Sequence, residues 1–501
     1  MAIPLFNSIA SWFLKKRIHQ IELFLKYPNE VQQELLQDLL GVAKHTKIGY
    51  RYDYGSINNY RDFAQRVPIV TYEDIAQTID LSRSGEQNLF WPTPIRWYAK
   101  SSGTTNAKSK FIPVSNQALE NCHYKAGKDM LSLYFNNNPE AQLFNGKSLR
   151  LGGSQELHQN HNSYFGDLSA IIIDNMPLWA ELNSTPSIKV SLMPEWEAKL
   201  KAIVAECTQE NVTSIVGVPS WMLVLLNRVL EETKADNIAS IWPNIEVYFH
   251  GGVSFRPYRE QFNNLFLEKP VQFYEIYNAS EGFFGIQDQN NSDELLLMLD
   301  YGIFYEFIPF GSSDEAIIPL NQVELGVRYT LVITTNAGLW RYKIGDVIQF
   351  TSISPYRFQI TGRTKHFINV FGEEVVIENS DKAIEFASKQ CNLQVLDYTV
   401  APIFMEGNKK GCHEWMIEFK ENPSDLTSFS THLDDHLKTL NSDYEAKRYK
   451  DITMAFPKVN SAKKGLFYQW LSSKGKLGGQ HKVPRLSSDR KLMDELLNLN
   501  D

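Results

Sequence analysis

From about residue 90 the chain changes to short apolar runs separated by Gly, Pro and Asn, several of them followed by longer amphipathic stretches. This alternation constrains the fold more than any other feature. Runs at 148–153, 170–174, 213–218, 245–249 and 271–276 have the length and branching of buried strands, and 220–232 and 255–267 have helical periodicity. Strands that alternate with helices predict a layered α/β domain. The segment 302–350 has few helix signals and alternates, as in Val327-Arg328-Tyr329-Thr330-Leu331-Val332-Ile333. It predicts antiparallel strands, in a small barrel or a distorted sheet.

With 501 residues, the chain exceeds what one hydrophobic core usually supports. A boundary is placed after Gly362, giving a large domain over 1–362 and a smaller α+β domain over 363–501. In the smaller one, 380–389 and Leu426–Leu440 read as helices and 395–402 and 451–456 as strands. Residues 1–45 read as helical, with Ile9, Trp12, Phe13, Ile18, Ile21 and Leu25 on one face. Lys15, Lys16 and Arg17 follow the first apolar stretch, the reverse of a secretory leader, and no run is long enough to span a bilayer. A cytoplasmic protein is expected. Cys122, Cys207, Cys391 and Cys412 are isolated and form no C-x-x-C pair, which predicts reduced thiols and no zinc site. The net charge of −8 provides no general basic field, so neither nucleic acid nor membrane is an expected partner, and a monomer is expected.

Five polar stretches carry possible chemistry. In Lys100-Ser101-Ser102-Gly103-Thr104-Thr105-Asn106-Ala107-Lys108-Ser109-Lys110, four hydroxyl residues surround a glycine, with lysines behind. Exposed N–H groups, hydroxyls and a cation suit phosphate, although a polar turn between strands has the same composition and the Walker spacing is absent. In Tyr274-Glu275-Ile276-Tyr277-Asn278-Ala279-Ser280-Glu281-Gly282 a buried strand ends in a turn with a hydroxyl and a carboxylate. The carboxylate suits Mg²⁺; the alternative is a helix start capped by Ser280. In Leu339-Trp340-Arg341-Tyr342-Lys343-Ile344-Gly345-Asp346-Val347 an acid after glycine can accept from ribose hydroxyls, or simply occupy a turn. Gly362-Arg363-Thr364-Lys365-His366-Phe367-Ile368-Asn369-Val370-Phe371-Gly372-Glu373-Glu374-Val375 follows, and then the basic Gly475-Lys476-Leu477-Gly478-Gly479-Gln480-His481-Lys482-Val483-Pro484-Arg485.

In this order the stretches resemble the motifs of the adenylate-forming superfamily of acyl-CoA synthetases, peptide-synthetase adenylation domains and luciferases. Within it, the chain is most similar to the auxin-responsive acyl-acid amido synthetases (the Gretchen Hagen family) and their bacterial relatives. That likeness rests on Trp97-Tyr98-Ala99-Lys100 leading into the hydroxyl loop, on Val67-Pro68-Ile69 with Tyr72-Glu73-Asp74, and on Gly478-Gly479-Gln480-His481-Lys482-Val483-Pro484-Arg485. It runs from about residue 30 to about 490.

The resemblance implies an adenylate-forming fold: a layered N-terminal domain with a small barrel-like part and a swivelling C-terminal domain. It implies ATP and Mg²⁺, a small carboxylic acid, and an amine or amino acid acceptor. Ser101, Ser102, Gly103, Thr104 and Thr105 match the phosphate loop, and Lys110 a basic residue after it. Gly251 and Gly252, in His250-Gly251-Gly252, fall where such enzymes contact adenine and the acyl pocket. Tyr277, Ser280 and Glu281 match the adenine and magnesium motif, Asp346 the ribose acid and Arg363 a second nucleotide contact. Lys365 falls at the hinge, and Lys482 is the candidate catalytic lysine among its neighbours Lys474 and Lys476, with Glu281 as the metal ligand. Asn106-Ala107 lacks a glycine common after the loop, and Asn369 stands where many superfamily members carry lysine.

The implied reaction is adenylation of the acid followed by transfer to an amine. The acid pocket is sought in 151–169, Trp179 and 216–223; the 12% aromatic content suits either a flat acid or ordinary core packing. The rival readings are a thiol-loading acyl-CoA synthetase on the same fold and a non-catalytic binder of small acids or nucleotides.

Overall fold

The computed structural model describes residues 4–101, 110–152, 158–160, 163–253, 255, 258–267, 269–363, 367–406, 409–421, 423, 425–451, 453–474 and 483–500. Its frame is one twelve-stranded sheet. Strands Ser184–Thr185, Lys147–Arg150, Val212–Gly217, Val247–Gly251 and Gln272–Ala279 pair in parallel. At Gln272–Ala279 the pairing changes. Gly282–Ile286, Leu295–Leu297, Tyr356–Arg363, Tyr342–Ile353, Arg328–Thr335, Ile303–Pro309 and Ile318–Pro319 continue it with antiparallel neighbours. The antiparallel strands expected over 302–350 are present, and they extend the parallel strands rather than closing a barrel of their own. A four-stranded sheet, Lys110–Val114, Trp97–Ser101, Ser163–Gly166 and His158–Asn160, stands beside the frame.

Helices cover the large sheet. Pro4–Lys26 buries Ile21 and Phe24 against it, and Arg17 bonds Asp129 at 2.8 Å and Asp300 at 2.7 Å. Of the expected apolar face, Ile18, Ile21 and Leu25 pack on the core and Trp12 is 56% exposed, while the side chains of Ile9 and Phe13 lie outside the described residues. Pro28–Ala43 follows, and Pro219–Thr233 packs on the parallel half. The run 170–174 belongs to the helix Leu168–Asp174. Four apolar residues in a row fit a buried helix as well as a strand, and here Ala170, Ile171 and Ile173 are its buried side. No described helix is long and apolar enough to cross a membrane.

The smaller unit is a sandwich around Val395–Ile403, Cys412–Phe419 and Lys458–Ala462. Alternation divides its core: Val400, Trp415 and Ile417 face the helices Ile377–Cys391 and Leu426–Leu440. Ala401, Met416 and Ala462 face Leu466–Ser473 and Lys491–Asn500. The strand expected at 451–456 is displaced: Met454 makes only a single bridge to Gly411, and the strand is Lys458–Ala462. A hairpin of Phe367–Ile368 with Val375–Val376 joins this unit to the large one. Val370 O there accepts from Tyr258 Oη at 2.7 Å.

Candidate active site

The seam between parallel and antiparallel strands opens into a cleft of about 630 Å³. Lys110, Gly252, Tyr277, Ser280, Glu281 and Asp346 line it from the large unit, and Phe367, Asn369 and Glu374 from the hairpin of the small one. Five stretches of sequence separated by tens to hundreds of residues therefore meet in one place.

Tyr277 lies near the end of the strand Gln272–Ala279, and Ser280 and Glu281 form the two-residue turn into Gly282–Ile286, with Ala279 opposite Gly282. The helix start that could equally have explained Ser280 is thus absent. The π-helical turn Leu119–Tyr124 braces the hairpin, since Phe283 N–H donates to Cys122 Sγ at 3.2 Å. Burial pushes that thiol up to about 12, so Cys122 acts as a buried acceptor rather than a nucleophile. All four cysteines are free.

Asp346 does not sit in a turn. It lies inside the long strand Tyr342–Ile353, next to Gly345 at φ +94, where the register slips. The irregularity turns a nearly buried carboxylate, 4% exposed, toward the cleft, and Tyr277 Oη donates to its Oδ2. Arg363 pairs with Asp346 across the strands, and the preceding Gly362 lines the cleft.

The strand is anchored from behind by the other parts of its motif. Arg341, at φ +45, bonds Glu306 through Nε at 2.9 Å and Nη2 at 2.8 Å, and donates to Ala64 O and Val67 O. Tyr60 Oη donates to the same glutamate at 2.9 Å, and Trp340 Nε1 to Phe90 O at 3.1 Å. Val70 N–H donates to Arg341 O, and Lys343 N–H to Val70 O. The Val67-Pro68-Ile69 segment is therefore the back support of the Asp346 strand. Thr71 then caps the next helix with Asp74, and Tyr72 Oη accepts from Phe111 N at 2.9 Å. Lys110 lies 5.6 Å above the Tyr72 ring and also lines a neighbouring 510 Å³ hollow with Lys343 and Asp314.

Gly251 does not line the cleft; Gly252 does. Gly251 is required by close packing, since a Cβ there would lie 2.4 Å from Ile276 O, and Gly252 by its φ of +85. His250 stacks on Phe255 at 3.9 Å, and burial lowers it to about 3, so it is neutral. Phe255 in turn packs with Phe262 and Phe273, so much of the aromatic content is core.

Ser101 ends its strand opposite Lys110. Ser102, Gly103, Thr104, Thr105, Lys365 and Lys482 lie outside the described residues, as do the side chains of Ser101 and Arg363. The hairpin on the facing wall is held by Glu373. Its carboxylate accepts from Val370 N at 3.2 Å and Phe371 N at 2.6 Å and lies 2.8 Å from His413 Nε2. Asn369 Oδ1 accepts from Glu374 N, and Glu374, at φ +41, is presented to the cleft. Glu374, Arg259 and Asp293 line the cleft without a clear sequence signal. Among the described residues no group of three or more His, Cys, Asp or Glu side chains could hold a metal by itself.

The GH3 family N-terminal domain matches residues 17–271, the GH3 family central domain 296–363 and the GH3 family C-terminal domain 378–491. The chain is 22% identical to the indole-3-acetic acid-amido synthetase GH3.4 of Arabidopsis thaliana, over 96% of this chain and 93% of that protein. It is 23% identical to the 4-substituted benzoates-glutamate ligase GH3.12 of the same plant, over 93% and 94%. In structure it is similar to the AtGH3.15 acyl acid amido synthetase in complex with 2,4-DB, with a TM-score of 0.61 at 17% identity over 99% of this chain and 97% of that one.

Proposed function

Because the chain belongs to the GH3 family, we propose that it is an ATP-dependent acyl-acid amido synthetase, a ligase that adenylates a small carboxylic acid and passes the acyl group to an amine, an amino acid in the first instance. The relatives' names support the two-substrate chemistry, and both curated relatives are matched over nearly their full length. The observation that carries the reading at the level of residues is the shared cleft of Lys110, Tyr277, Glu281 and Asp346.

A carboxylate is a poor acyl donor, since oxide would have to leave. Attack of its oxygen on the α-phosphorus of ATP forms a P–O bond, releases pyrophosphate and leaves a mixed anhydride whose leaving group is AMP. In this reading Asp346, oriented by Tyr277, accepts from the ribose hydroxyls. The hydroxyl loop with Lys110 holds phosphate, and Lys482 meets the charge that gathers on phosphorus. The cleft suits Mg²⁺ through Glu281: the ion takes one or two carboxylates and completes its shell with phosphate and water, which fits a site where the described residues form no protein cage. When bound, Mg²⁺ neutralises phosphate charge. The unit from residue 363 onward then swivels, so that a neutral amine can reach the acyl carbonyl and displace AMP.

The test is pyrophosphate exchange across aromatic, aliphatic and jasmonate-like acids, followed by mass spectrometry for the conjugate with amino acids. Acid-dependent exchange and an amide product are expected without coenzyme A. Exchange at background across the whole panel overturns the reading, and a requirement for coenzyme A replaces it with thioester formation. Lys482→Ala is expected to lower exchange about a hundredfold or more with the melting temperature unchanged.

A further inference from the structure

The 510 Å³ hollow on the antiparallel half of the sheet has no part in the adenylation chemistry above. Three side chains, Lys110, Ile344 and Phe367, line both it and the nucleotide cleft. The partition between the two spaces is therefore one side chain thick. Lys110 follows the hydroxyl loop, and Ile344 stands two residues before Asp346, so the hollow meets the cleft beside the phosphate and ribose positions of the reading above. Phe367 belongs to the hairpin that joins the small unit to the large one, and Val376 of the same hairpin lines the hollow as well. The small unit thus completes this space.

Its charges balance. Lys110 and Lys343 face Glu73 and Asp314 across it, and Lys343 Nζ lies 2.6 Å and 2.7 Å from the two Asp314 oxygens. That pair is not sealed, since the lysine side chain is 24% exposed and the aspartate 50%. An ammonium has three donors and a carboxylate accepts at several positions, so an open pair of this kind can add a ligand that carries both signs. A polyanion such as pyrophosphate would meet Glu73 and Asp314 and be repelled, whereas a zwitterion complements the lining. Much of the remaining wall is apolar, from Ile308, Phe310 and Val376. Phe310 is 42% exposed, so this side is open to solvent.

Resting on the amido synthetase reading above, we propose that this hollow takes the acceptor amino acid, one with an apolar side chain. Lys343 meets the α-carboxylate, the side chain lies along Ile308, Phe310 and Val376, and the amino group faces the partition of Lys110, Ile344 and Phe367. The donor acid is in place before the nucleotide is attacked, and part of its pocket is sought at 216–223, on the parallel half. The second substrate needs a separate approach to the acyl-adenylate, and a space completed by the swivelling unit provides one. In the transfer the nitrogen lone pair forms the C–N bond, the C–O bond to AMP breaks with its electron pair on AMP, and the two surplus protons of the ammonium leave to water.

The test compares wild type, Lys343→Gln and Ser312→Trp as full-length chains. Pyrophosphate exchange reads folding and adenylation, and amide formation is measured with leucine, with leucinamide and with aspartate. Wild type is expected to use leucine better than either of the others. In Lys343→Gln the KM for leucine is expected to rise about tenfold, the loss of one hydrogen bond to a charged group, while that for leucinamide stays within about twofold. Ser312 is exposed at the edge of the hollow, so tryptophan there narrows the space without disturbing the core, and a raised leucine KM is expected. An unchanged leucine KM in both variants overturns the proposal, as does aspartate being used better than leucine. Loss of exchange in both variants overturns it by giving the hollow to the nucleotide. Weaker inhibition by added pyrophosphate with the leucine KM unmoved overturns it by giving the hollow to the leaving group. If wild type itself forms no amide, the amido synthetase reading falls first and the acceptor site with it.

Discussion

The large and the small unit are each braced by a triad of the same residue types, tyrosine, carboxylate and arginine, connected differently. In the large unit, Glu306 binds Arg341 and Tyr60; the acid and the arginine are 1% and 3% exposed, and the remaining arginine donors go to backbone carbonyls. In the small unit, Asp434 binds Arg448 and Tyr444, but it also takes Lys438 at 2.6 Å, and Arg448 has a second acid in Asp451. The first triad has one acid for one arginine and locks the segment 60–70 to the strand of Asp346. The second shares its charges among more partners and anchors the helix Ser442–Arg448, whose Lys447 reaches the Trp221 ring of the large unit. The large unit's triad is closed by pairing, and the small unit's is held by redundancy.

Removing each acid tests this difference. Glu306→Gln leaves Arg341 buried with no acidic partner among the described residues and is expected to cost about 3–5 kcal/mol. Asp434→Asn leaves Arg448 with Asp451, and about 1.5–3 kcal/mol is expected. Urea unfolding of both variants makes the comparison, and equal losses would break it. At the cleft face, Tyr277→Phe removes the donor to Asp346, a hydrogen bond to a charged group worth about 1.5–3 kcal/mol at most, and is expected to raise the KM for ATP about tenfold with little change in melting temperature. An unchanged KM would detach Asp346 from nucleotide binding.

The smallest effect is in pH. Burial alone would raise the Asp434 carboxyl, but hydrogen bonds from Arg448, Lys438 and Tyr444 outweigh it and hold it below the ordinary carboxylate value. A depressed acid contributes stability that is complete above its unfolded pKa, near about 4, and is lost as pH falls through the folded value. The gap between wild type and Asp434→Asn should therefore be full at pH 6 and close on acidification toward pH 3, read as urea midpoints. A gap that stays constant would mean that the shared charges do not matter.

The sequence is most legible where structure is local. The helix Leu426–Leu440 agrees to the residue, because its apolar positions Phe429, Leu433 and Leu437 repeat at helical spacing. Strand Cys412–Phe419 escapes notice although all eight residues are buried, because His413, Glu414 and Glu418 give it a polar sequence. Their partners lie far along the chain: Glu373, Arg490 and Lys458, and the Gly465 N–H. The cleft residues were readable for the opposite reason. Glu281 sits in the turn after a strand and Asp346 follows a glycine inside one, and the order of these short polar motifs along the chain forms a pattern. Lys447 on Trp221 joins positions 226 apart with no pattern around either, so only the fold brings it to view.

Strand Gln272–Ala279 has a parallel neighbour on one side and a hairpin on the other. A molecule built on such a spine has a natural splice line. The blocks 147–251 and 282–363 each complete their own pairing up to it, so a chimera joined within 272–279 keeps both registers. One parent then supplies Lys110 and Gly252 and the other Glu281 and Asp346, so the cleft itself is shared across a single common strand.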